Sequence, residues 1–263
     1  MPGSLVPHIR AASEAAIAAG ALLVRHLGRP RTVETKRSAT DLVTELDRAS
    51  EALIHRRLTR AFPGFGFLGE EQGERTGASE YRWIVDPLDG TNNFVHGLPL
   101  FGVSIGLERL GRIVAGVIYD PNRRELFTAA RGGGAYLNGR RIRVSKAAVL
   151  AKGLLSTGFS SRFTRSPAAY LRWFKAFQAR SHGVRRLGST VLCLAWIASG
   201  RLEGFYERDL WPWDIAAGLV LVEEAGGQVS DFDGGQVGLN DGRLVASNGR
   251  IHRAILRGLN AKQ

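Results

Sequence analysis

The segment WIVDPLDGTNNF, residues 83–94, places two carboxylates three positions apart directly after an apolar stretch. Asp86 and Asp89 stand on a turn that continues through Gly90 and Thr91. Side chains at that spacing on such a turn can point at the same place, where their negative charges repel each other unless a positive charge lies between them. Mg²⁺ suits oxygen clusters of this kind, because it keeps several waters and leaves room for a phosphate. The segment therefore favours a divalent-cation site beside a phosphate-binding turn.

Further acidic residues occur at the ends of other elements. Glu70 and Glu71 close a second apolar stretch, and Asp214 opens a helical pattern. Taken singly, each has a structural explanation: a turn or cap for Asp86 and Asp89, a helix N-cap for Asp214, and a solvated loop for the two glutamates. The combination favours a metal site. An Asp followed by Gly-Thr at a helix start also exposes backbone N–H groups suited to a phosphate.

The elements that must position these side chains begin with two helices and a run of strands. The first helix covers residues 5–28, with Pro30 beyond it as a stop signal, and the second begins near Asp41, a plausible N-cap, and runs to Pro63. The predicted strands are residues 65–71, 81–87, 101–108, 112–120 and 125–131, followed by a hairpin over 132–142 that turns at Asn138 and Gly139.

The second half of the chain alternates strands and helices. Strands are predicted at 153–159, 203–207, 228–232 and 243–248, and helices at 167–180, 189–200 and 213–227, with a short helix at the C-terminal end. Two helices, a run of strands and then alternation are typical of a layered α/β protein. Because no Pro- or Ser-rich linker separates the halves, we expect a single domain over residues 1–263, with sub-lobes of about 1–145 and 146–263.

Composition limits the class of protein. The 263 residues carry a formal charge of +12, which favours encounters with anions such as nucleic acid, acidic lipid or phosphorylated metabolites. Cys193 is the single cysteine, so no intrachain disulfide can form, and a reducing cytoplasm fits. The apolar run at 15–24 is too short to span a membrane, and Glu14 before it argues against a signal peptide. We therefore expect a cytoplasmic protein with no membrane partner.

Two longer motifs resemble the signatures of a known family. DPLDGTNNFVHGLP (86–99) and WDIAAGLVLVEEAGG (213–227) resemble the two signatures of the inositol monophosphatase family, which comprises lithium-sensitive, Mg²⁺-dependent phosphatases. Residues 36–47, 69–71 and 185–207 match further family segments in the right order, so the resemblance runs from about residue 9 to 250. It implies an αβαβα sandwich of the inositol monophosphatase and fructose-1,6-bisphosphatase type, and a homodimer.

The resemblance also implies a role for particular residues. It assigns the Mg²⁺ ions to Glu70, Asp86, the backbone carbonyl of Leu88, Asp89 and Asp214. Asp86 would bridge two ions, and Glu70 would also take part in catalysis. Gly90 and Thr91 would offer backbone N–H groups to the phosphate. The Thr91 hydroxyl, paired with Asp47, would orient the attacking water and help deprotonate it.

The resemblance also suggests where the alcohol part of a substrate binds. Glu207 falls where the family has a carboxylate that accepts hydrogen bonds from substrate hydroxyls, and Gly188 and Ser189 match the loop that faces the polyol. A turn followed by a helix cap explains these last two residues equally well. Lys36 either attracts phosphate or is a surface lysine, and the second interpretation is preferred.

Other conspicuous side chains near the motifs have structural explanations. His96 is not expected to bind metal, because Mg²⁺ prefers oxygen ligands. Cys193 lies in the apolar run TVLCLAW and is interpreted as a core thiol. Trp211 and Trp213 are interpreted as packing that fixes Asp214.

The leading hypothesis is a Mg²⁺-dependent phosphomonoesterase acting on a small polyol phosphate, with myo-inositol 1-phosphate as the default substrate. Histidinol phosphate, fructose 1,6-bisphosphate and 3′-phosphoadenosine 5′-phosphate remain alternatives within the wider superfamily. A hypothesis of another class is an accessory factor for RNA polymerase or ribosomal RNA, as some bacterial members of the family are. The basic clusters at 139–146 and 182–188 are compatible with RNA contact.

Overall fold

The structure is a computed structural model that describes residues 5–36, 42–160 and 167–261. Its helices are α1 Val6–Val24, α2 Glu45–Ala61, α3 Thr91–Val95, α4 Pro167–Gln178, α5 Thr190–Ala198, α6 Pro212–Glu224 and α7 His252–Asn260. Its strands are β1 Val33–Thr35, β2 Leu42–Thr44, β3 Gly66–Gly69, β4 Gly73–Arg75, β5 Tyr81–Asp89, β6 Gly102–Arg109, β7 Arg112–Asp120, β8 Glu125–Ala130, β9 Gly134–Leu137, β10 Arg140–Arg141, β11 Leu155–Thr157, β12 Val184–Arg185, β13 Gly204–Arg208, β14 Gln228–Ser230 and β15 Arg243–Ser247.

The strands form two large sheets and one small one. The first large sheet has eight strands in the order β10-β9-β8-β7-β6-β5-β3-β4, and only the β3–β5 pair is parallel. The second has five strands in the order β12-β11-β13-β15-β14, in which β11 pairs in parallel with both of its neighbours. The antiparallel β1–β2 pair stands apart from both sheets.

Helices cover both faces of each large sheet. Helices α1 and α2 pack on the outer face of the eight-stranded sheet, α5 and α6 lie between the two sheets, and α4 and α7 cover the far side of the five-stranded sheet. One apolar cluster fills each of the three groups of interfaces. The predicted αβαβα sandwich is therefore confirmed. The eight-stranded sheet uses residues 66–141 and the five-stranded sheet residues 155–247, whereas the division into sub-lobes stays a prediction.

The composition of the helices follows from the layer in which each lies. Helix α5, with the sequence TVLCLAWIA, is buried along nearly its whole length because a sheet lies on either side of it. Helix α1 instead presents a narrow stripe of small residues, which includes Ala12, Ala16 and Ala19, to the eight-stranded sheet. None of the helices within the described ranges is both long and apolar enough to cross a bilayer.

The second helix begins later than the sequence predicts. Residues 42–44 form strand β2, and Thr44 caps the helix: its hydroxyl accepts from the Leu46 N–H at 3.1 Å, and its own N–H donates to Asp47 at 2.7 Å. The predicted cap, Asp41, lies outside the described residues. A reciprocal pair of this kind satisfies orphan N–H groups at both positions, which is why the helix begins at Glu45.

Most of the remaining differences concern very short elements. Strands β1, β4 and β12 and helix α3 each have five residues or fewer, which is too short to give a periodic pattern. The predicted hairpin turn is confirmed: Asn138 and Gly139 have φ values of 48° and 77°, as a two-residue type I′ turn requires.

Phe127→Ala should destabilise the fold strongly. Phe127 is fully buried in the cluster between the two sheets, and truncating a buried Phe to Ala usually costs about 3–5 kcal/mol. Chemical unfolding measures the change in free energy. Leu171→Ala, on α4 with 53% of its surface exposed, is the matched control and should stay within about 0.5 kcal/mol of the wild type. Similar values for the two variants would contradict the burial of Phe127.

Candidate active site

A cavity of about 210 Å³ opens where the ends of both large sheets meet. The residues predicted for the site that line it are Glu70, Asp86, Leu88, Asp89, Gly90, Thr91, Gly188, Ser189, Glu207 and Asp214. Asp47 does not line the cavity but contacts Thr91, which does. The structure therefore brings together side chains that are up to 144 positions apart in sequence, from Glu70 to Asp214.

The irregular end of strand β5 directs its two aspartates towards the cavity. The pairing with β6 shifts register between Asp86 and Asp89, at the point where Pro87 has no N–H to give to the ladder. The Leu88 N–H donates to Asp86 at 3.0 Å, and the Ser50 hydroxyl donates to the Pro87 carbonyl at 2.9 Å. Hydrogen bonds thus hold the chain where the strand pairing breaks. This break explains why two carboxylates stand at the end of a buried strand.

The turn after β5 requires a glycine. Gly90 has φ 97° and caps the five-residue helix α3. A Cβ at this position would lie 2.9 Å from the carbonyl oxygen of Leu100 and 3.1 Å from that of Gly188, so a side chain would be both strained and crowded. The chain can therefore pass close beneath the cavity, and the first N–H groups of α3 lie at its floor.

Thr91 and Asp47 form a hydrogen-bonded pair at the cavity wall. The Thr91 hydroxyl lies 3.0 Å from Asp47 Oδ1 and 3.1 Å from the Leu88 carbonyl oxygen, both of which are acceptors. Burial raises the pKa of Asp47, although Thr44 donates two hydrogen bonds to it. A buried carboxylate with a raised pKa accepts a proton more readily than an exposed one, so this pair can take a proton from a bound water.

Asp89 connects the cavity to the start of helix α5. The Ser189 hydroxyl and the Val191 N–H, the latter at 3.0 Å, both donate to Asp89 Oδ2. Burial raises the pKa of Asp89 to about 6, against the lowering effect of these hydrogen bonds. Ser189 is only 3% exposed and also accepts from the Leu192 N–H at 3.4 Å. The Ser189 hydroxyl therefore bonds Asp89 and caps helix α5. A contact between Ser189 and substrate stays a prediction.

The other acidic side chains repel one another. The pKa of Asp86 is raised well above its ordinary value, first by burial and then by the charges of Glu70, Asp89 and Asp214. Burial likewise raises the pKa of Asp214, whose carboxylate accepts from the Trp211 N–H at 2.7 Å, and raises that of Glu70 to about 7. Positive charge placed among these groups would favour their ionised forms.

Lys36 supplies positive charge within the described part of this site. Its ammonium group donates to Glu70 at 2.7 Å and also to Glu71, and its side chain is only 13% exposed. Burial alone would lower the pKa of Lys36, but the two glutamates outweigh this effect and raise it. The interpretation as a surface lysine is therefore wrong, as is that of Glu70 and Glu71 as a solvated loop.

The donor set suits a hard divalent cation by its chemistry. Four carboxylates and the Leu88 carbonyl share one cavity, and oxygen ligands of this type are what Mg²⁺ binds. Within the described ranges, however, no three His, Cys, Asp or Glu side chains are arranged so that they could hold one ion as they stand. Protein donors satisfy these oxygens instead: Lys36 on Glu70, Ser189 on Asp89 and the Trp211 N–H on Asp214.

The far side of the cavity has a different character. Glu207 is 8% exposed, accepts from the Thr190 hydroxyl at 3.2 Å, and has a pKa raised to about 8, mainly by burial. Phe159 and Arg186 complete this wall, with the guanidinium carbon 5.8 Å from the ring centre. Thr190, Phe159 and Arg186 were not expected at the site from the sequence, although Arg186 and Thr190 lie on either side of the predicted pair Gly188–Ser189.

The remaining conspicuous side chains have structural roles. The Trp211 and Trp213 rings stack 5.5 Å apart at the start of α6, next to Asp214, as the packing interpretation predicts. Cys193 is 2% exposed with its sulfur 3.1 Å from the Ser156 hydroxyl, and burial raises its pKa, so it is a core thiol. His96 is exposed at the end of α3 and does not line the cavity.

The chain is similar to known proteins over nearly its whole length. The model of the inositol monophosphatase family matches residues 5–263. An inositol-1-monophosphatase from Mesorhizobium japonicum is 48% identical over 93% of this chain and 92% of the relative. A protein named Nus factor SuhB from Pseudomonas aeruginosa is 44% identical over 95% and 94%.

Solved structures show the same similarity. The extragenic suppressor protein suhB from Bartonella henselae superposes with a TM-score of 0.92 at 43% identity, covering 97% of this chain and 98% of the other. The inositol monophosphatase from Anabaena gives a TM-score of 0.88 at 42% identity, covering 97% and 96%. The five-layered fold is thus shared with both of these structures.

The chain belongs to the inositol monophosphatase family and is, by that membership, a phosphatase.

Glu207→Gln should make stability less sensitive to pH between about 5 and 8. Because burial raises the pKa of Glu207 to about 8, the folded protein keeps a proton that the unfolded chain releases in this range. The contribution of Glu207 is therefore fully present at acidic pH and is lost as the pH rises towards 8. Gln does not titrate. The melting temperature of the wild type, measured in EDTA, should therefore fall relative to that of the variant as the pH rises. Glu14→Gln, with 57% of the Glu14 side chain exposed, is the control. If Glu207→Gln and Glu14→Gln gave the same dependence of melting temperature on pH, the raised pKa of Glu207 would be contradicted.

Proposed function

We propose that this protein is a Mg²⁺-dependent phosphomonoesterase that hydrolyses a small polyol phosphate, with myo-inositol 1-phosphate as the default substrate. One observation carries the proposal: the carboxylates of Glu70, Asp86, Asp89 and Asp214, which come from three distant segments, line one cavity with Thr91. The Thr91 hydroxyl is in turn hydrogen-bonded to Asp47. Hydrolysis of a phosphate monoester can use this combination, because cations held by the carboxylates would offset the repulsion between the substrate dianion and an incoming hydroxide.

The acidic wall is the proposed cation site. The groups that would hold Mg²⁺ are the carboxylates of Glu70, Asp86, Asp89 and Asp214 and the carbonyl of Leu88. When bound, the ions supply the positive charge that stabilises the transferring phosphoryl group and lowers the pKa of a bound water. The raised pKa values of the four carboxylates support this assignment, since like charges in a buried cluster require compensation.

The floor of the cavity is the proposed phosphate site. The N–H groups of the first turn of a helix have no carbonyl partner within that helix, and in α3 this turn begins at Gly90 and Thr91. Gly90 has no side chain of its own to cover these N–H groups, and both Gly90 and Thr91 line the cavity. Gly90 and Thr91 would thus orient the phosphoryl group before hydrolysis.

The Thr91–Asp47 pair is the proposed route for the proton of the attacking water. With its hydrogen donated to Asp47, the Thr91 oxygen accepts a hydrogen bond from a water and so orients its lone pair. Passing the hydrogen from Thr91 to Asp47 then lets Thr91 take the water's proton. The displacement needs no protein nucleophile, and Cys193, a buried thiol with a raised pKa, is not suited to be one.

The opposite wall is the proposed site for the alcohol. Glu207 and the Gly188–Ser189 loop face the cavity from the five-stranded side, and a carboxyl group with nearby hydroxyls suits several hydroxyl partners. The name of the Mesorhizobium relative favours myo-inositol 1-phosphate.

Inhibition by lithium, assembly as a homodimer and a cytoplasmic location are further parts of this proposal, as the family resemblance implies them.

Asp89→Asn should reduce turnover by several orders of magnitude while the protein stays folded. The substitution keeps the shape of the side chain but removes one of the charged groups proposed to bind the cation. Phosphate release with Mg²⁺ should be measured on inositol 1-phosphate, histidinol phosphate, fructose 1,6-bisphosphate and 3′-phosphoadenosine 5′-phosphate, which also identifies the substrate. Asp233→Asn, at an exposed carboxylate paired with Arg243, should match the wild type. Mg²⁺-dependent hydrolysis by Asp89→Asn at the wild-type rate would rule out the assignment.

A second function is favoured by the relatives named Nus factor SuhB. In this alternative the chain is also an accessory factor that contacts RNA polymerase or ribosomal RNA, alongside its catalysis. Its formal charge of +12 supports the idea, as do exposed arginines in both basic clusters, among them Arg140, Arg141 and Arg185. Such a surface can bind phosphates without using the acidic cavity.

Binding to ribosomal RNA should weaken steeply with salt if this second function holds. Each phosphate contact contributes a slope of about −0.7 to −0.9 to the dependence of log affinity on log salt concentration. The double variant Arg140→Gln/Arg141→Gln should reduce this slope by about 2, whereas Asp86→Asn, which alters only the acidic cavity, should leave it intact. Filter binding between 50 and 300 mM salt gives the slopes, and a flat response of the wild type would refute RNA contact.

A further inference from the structure

We propose that Glu51 is a positioning residue that holds Glu70 in the cavity through the backbone of the turn that follows it. This inference rests on the proposed role of Glu70 as a cation ligand. Glu51 lies on α2, is fully buried, and accepts the N–H of Glu71 at 2.8 Å and that of Gln72 at 2.7 Å, one on each carboxylate oxygen. Its side chain does not line the cavity.

The two hydrogen bonds determine the shape of the β3–β4 turn. The strands pair antiparallel up to Gly69 and Gly73, so residues 70–72 connect them without a ladder of their own. A single carboxylate that binds two consecutive N–H groups fixes that peptide segment at two points. Glu70 immediately precedes the clamped segment, and its carboxylate therefore leaves the backbone in a set direction.

Gly69 provides independent evidence that the chain is built around this contact. A Cβ at position 69 would lie 2.5 Å from Cδ and from Oε2 of Glu51, which is closer than two such atoms approach. The backbone φ of Gly69 is not in the left-handed region, so the glycine is required by space alone. Position 69 thus has to be glycine for the carboxylate of Glu51 to reach the turn.

Helix α2 makes the same kind of contact with the other parts of the site. Asp47, Ser50 and Glu51 lie at i, i+3 and i+4 on one face of the helix, and all three are fully buried. Asp47 accepts from Thr91, and Ser50 donates to the carbonyl of Pro87. One rigid helix therefore carries a contact to each segment that supplies the acidic wall from the eight-stranded sheet, and Glu51 is the contact to Glu70.

The chemistry of the contact requires a carboxylate. Each of the two N–H groups donates to its own carboxylate oxygen, and the amide of glutamine offers only one oxygen beside an NH₂ group. Glu51→Gln therefore keeps the volume of the side chain but turns a donor towards one N–H. The turn should loosen at that point while the surrounding apolar contacts remain.

The test compares Mg²⁺ affinity and amide exchange in matched variants. Glu51→Gln should weaken Mg²⁺ binding, measured by isothermal titration, by about tenfold or more, as loss of a group that orients a metal ligand typically does. In the presence of a chelator, the amide hydrogens of Glu71 and Gln72 should exchange faster in Glu51→Gln than in the wild type. Turnover should recover at high Mg²⁺ concentration, unlike that of Glu70→Gln, because only the position of the ligand is disturbed.

Glu224 provides a matched control. Its two carboxylate oxygens likewise accept two backbone N–H groups, those of Gly132 at 2.9 Å and Gly134 at 2.8 Å, at a hairpin remote from the cavity. Glu224→Gln should lower the melting temperature as Glu51→Gln does but leave the Mg²⁺ affinity unchanged. Gly69→Ala is a second test that keeps Glu51 intact, and it should reproduce the loss of affinity.

The outcomes separate this inference from the proposed function. If Glu70→Gln weakens Mg²⁺ binding but Glu51→Gln and Gly69→Ala bind as the wild type does, Glu51 is only structural and the inference is overturned. If Glu51→Gln does not fold, Gly69→Ala alone decides in the same way. If the wild type binds no Mg²⁺, or if Glu70→Gln binds it normally, the proposed cation site is wrong and the inference falls with it.

Discussion

Repulsion between buried carboxylates is the constraint on which the rest of this structure depends. Burial raises the pKa of Glu70, Asp86, Asp89 and Asp214, and for Asp86 the charges of the other three raise it further. Such a cluster opposes folding unless protons, a cation or protein donors compensate it. The helix caps, the turn contacts and Lys36 all serve to hold these groups together despite that cost.

The layered fold suits this task because its rigid elements end at the cavity. Strand β5 brings Asp86 and Asp89 from the eight-stranded sheet, and the central helices α5 and α6 begin beside the same cavity. The N-terminal end of a helix favours negative charge, and both central helices direct this end at a carboxylate: α5 at Asp89 and α6 at Asp214. The same helices form the apolar layer between the sheets, so packing and electrostatics are coupled.

The sequence is informative where function leaves a local pattern. Strand β5, helix α6 and the cavity residues that follow them could be predicted because apolar periodicity and acidic residues occur side by side. The contact of Lys36 with Glu70 and the role of Glu51 were not recognised, since the partners lie 34 and 20 or more positions away in the sequence. The start of α2 was misplaced because Asp41 and Thr44 are both plausible caps, and only the contact of Thr44 with Asp47 decides between them.

The position of α5 and α6 between two sheets has a further consequence. Close-packed interiors have low compressibility, and here such a layer lies directly behind the cavity and joins the two sheets that form its walls. A hinge motion that moved the two sheets apart would require this layer to separate from one of them. Such a movement would expose the apolar side chains of this layer to water, which opposes it.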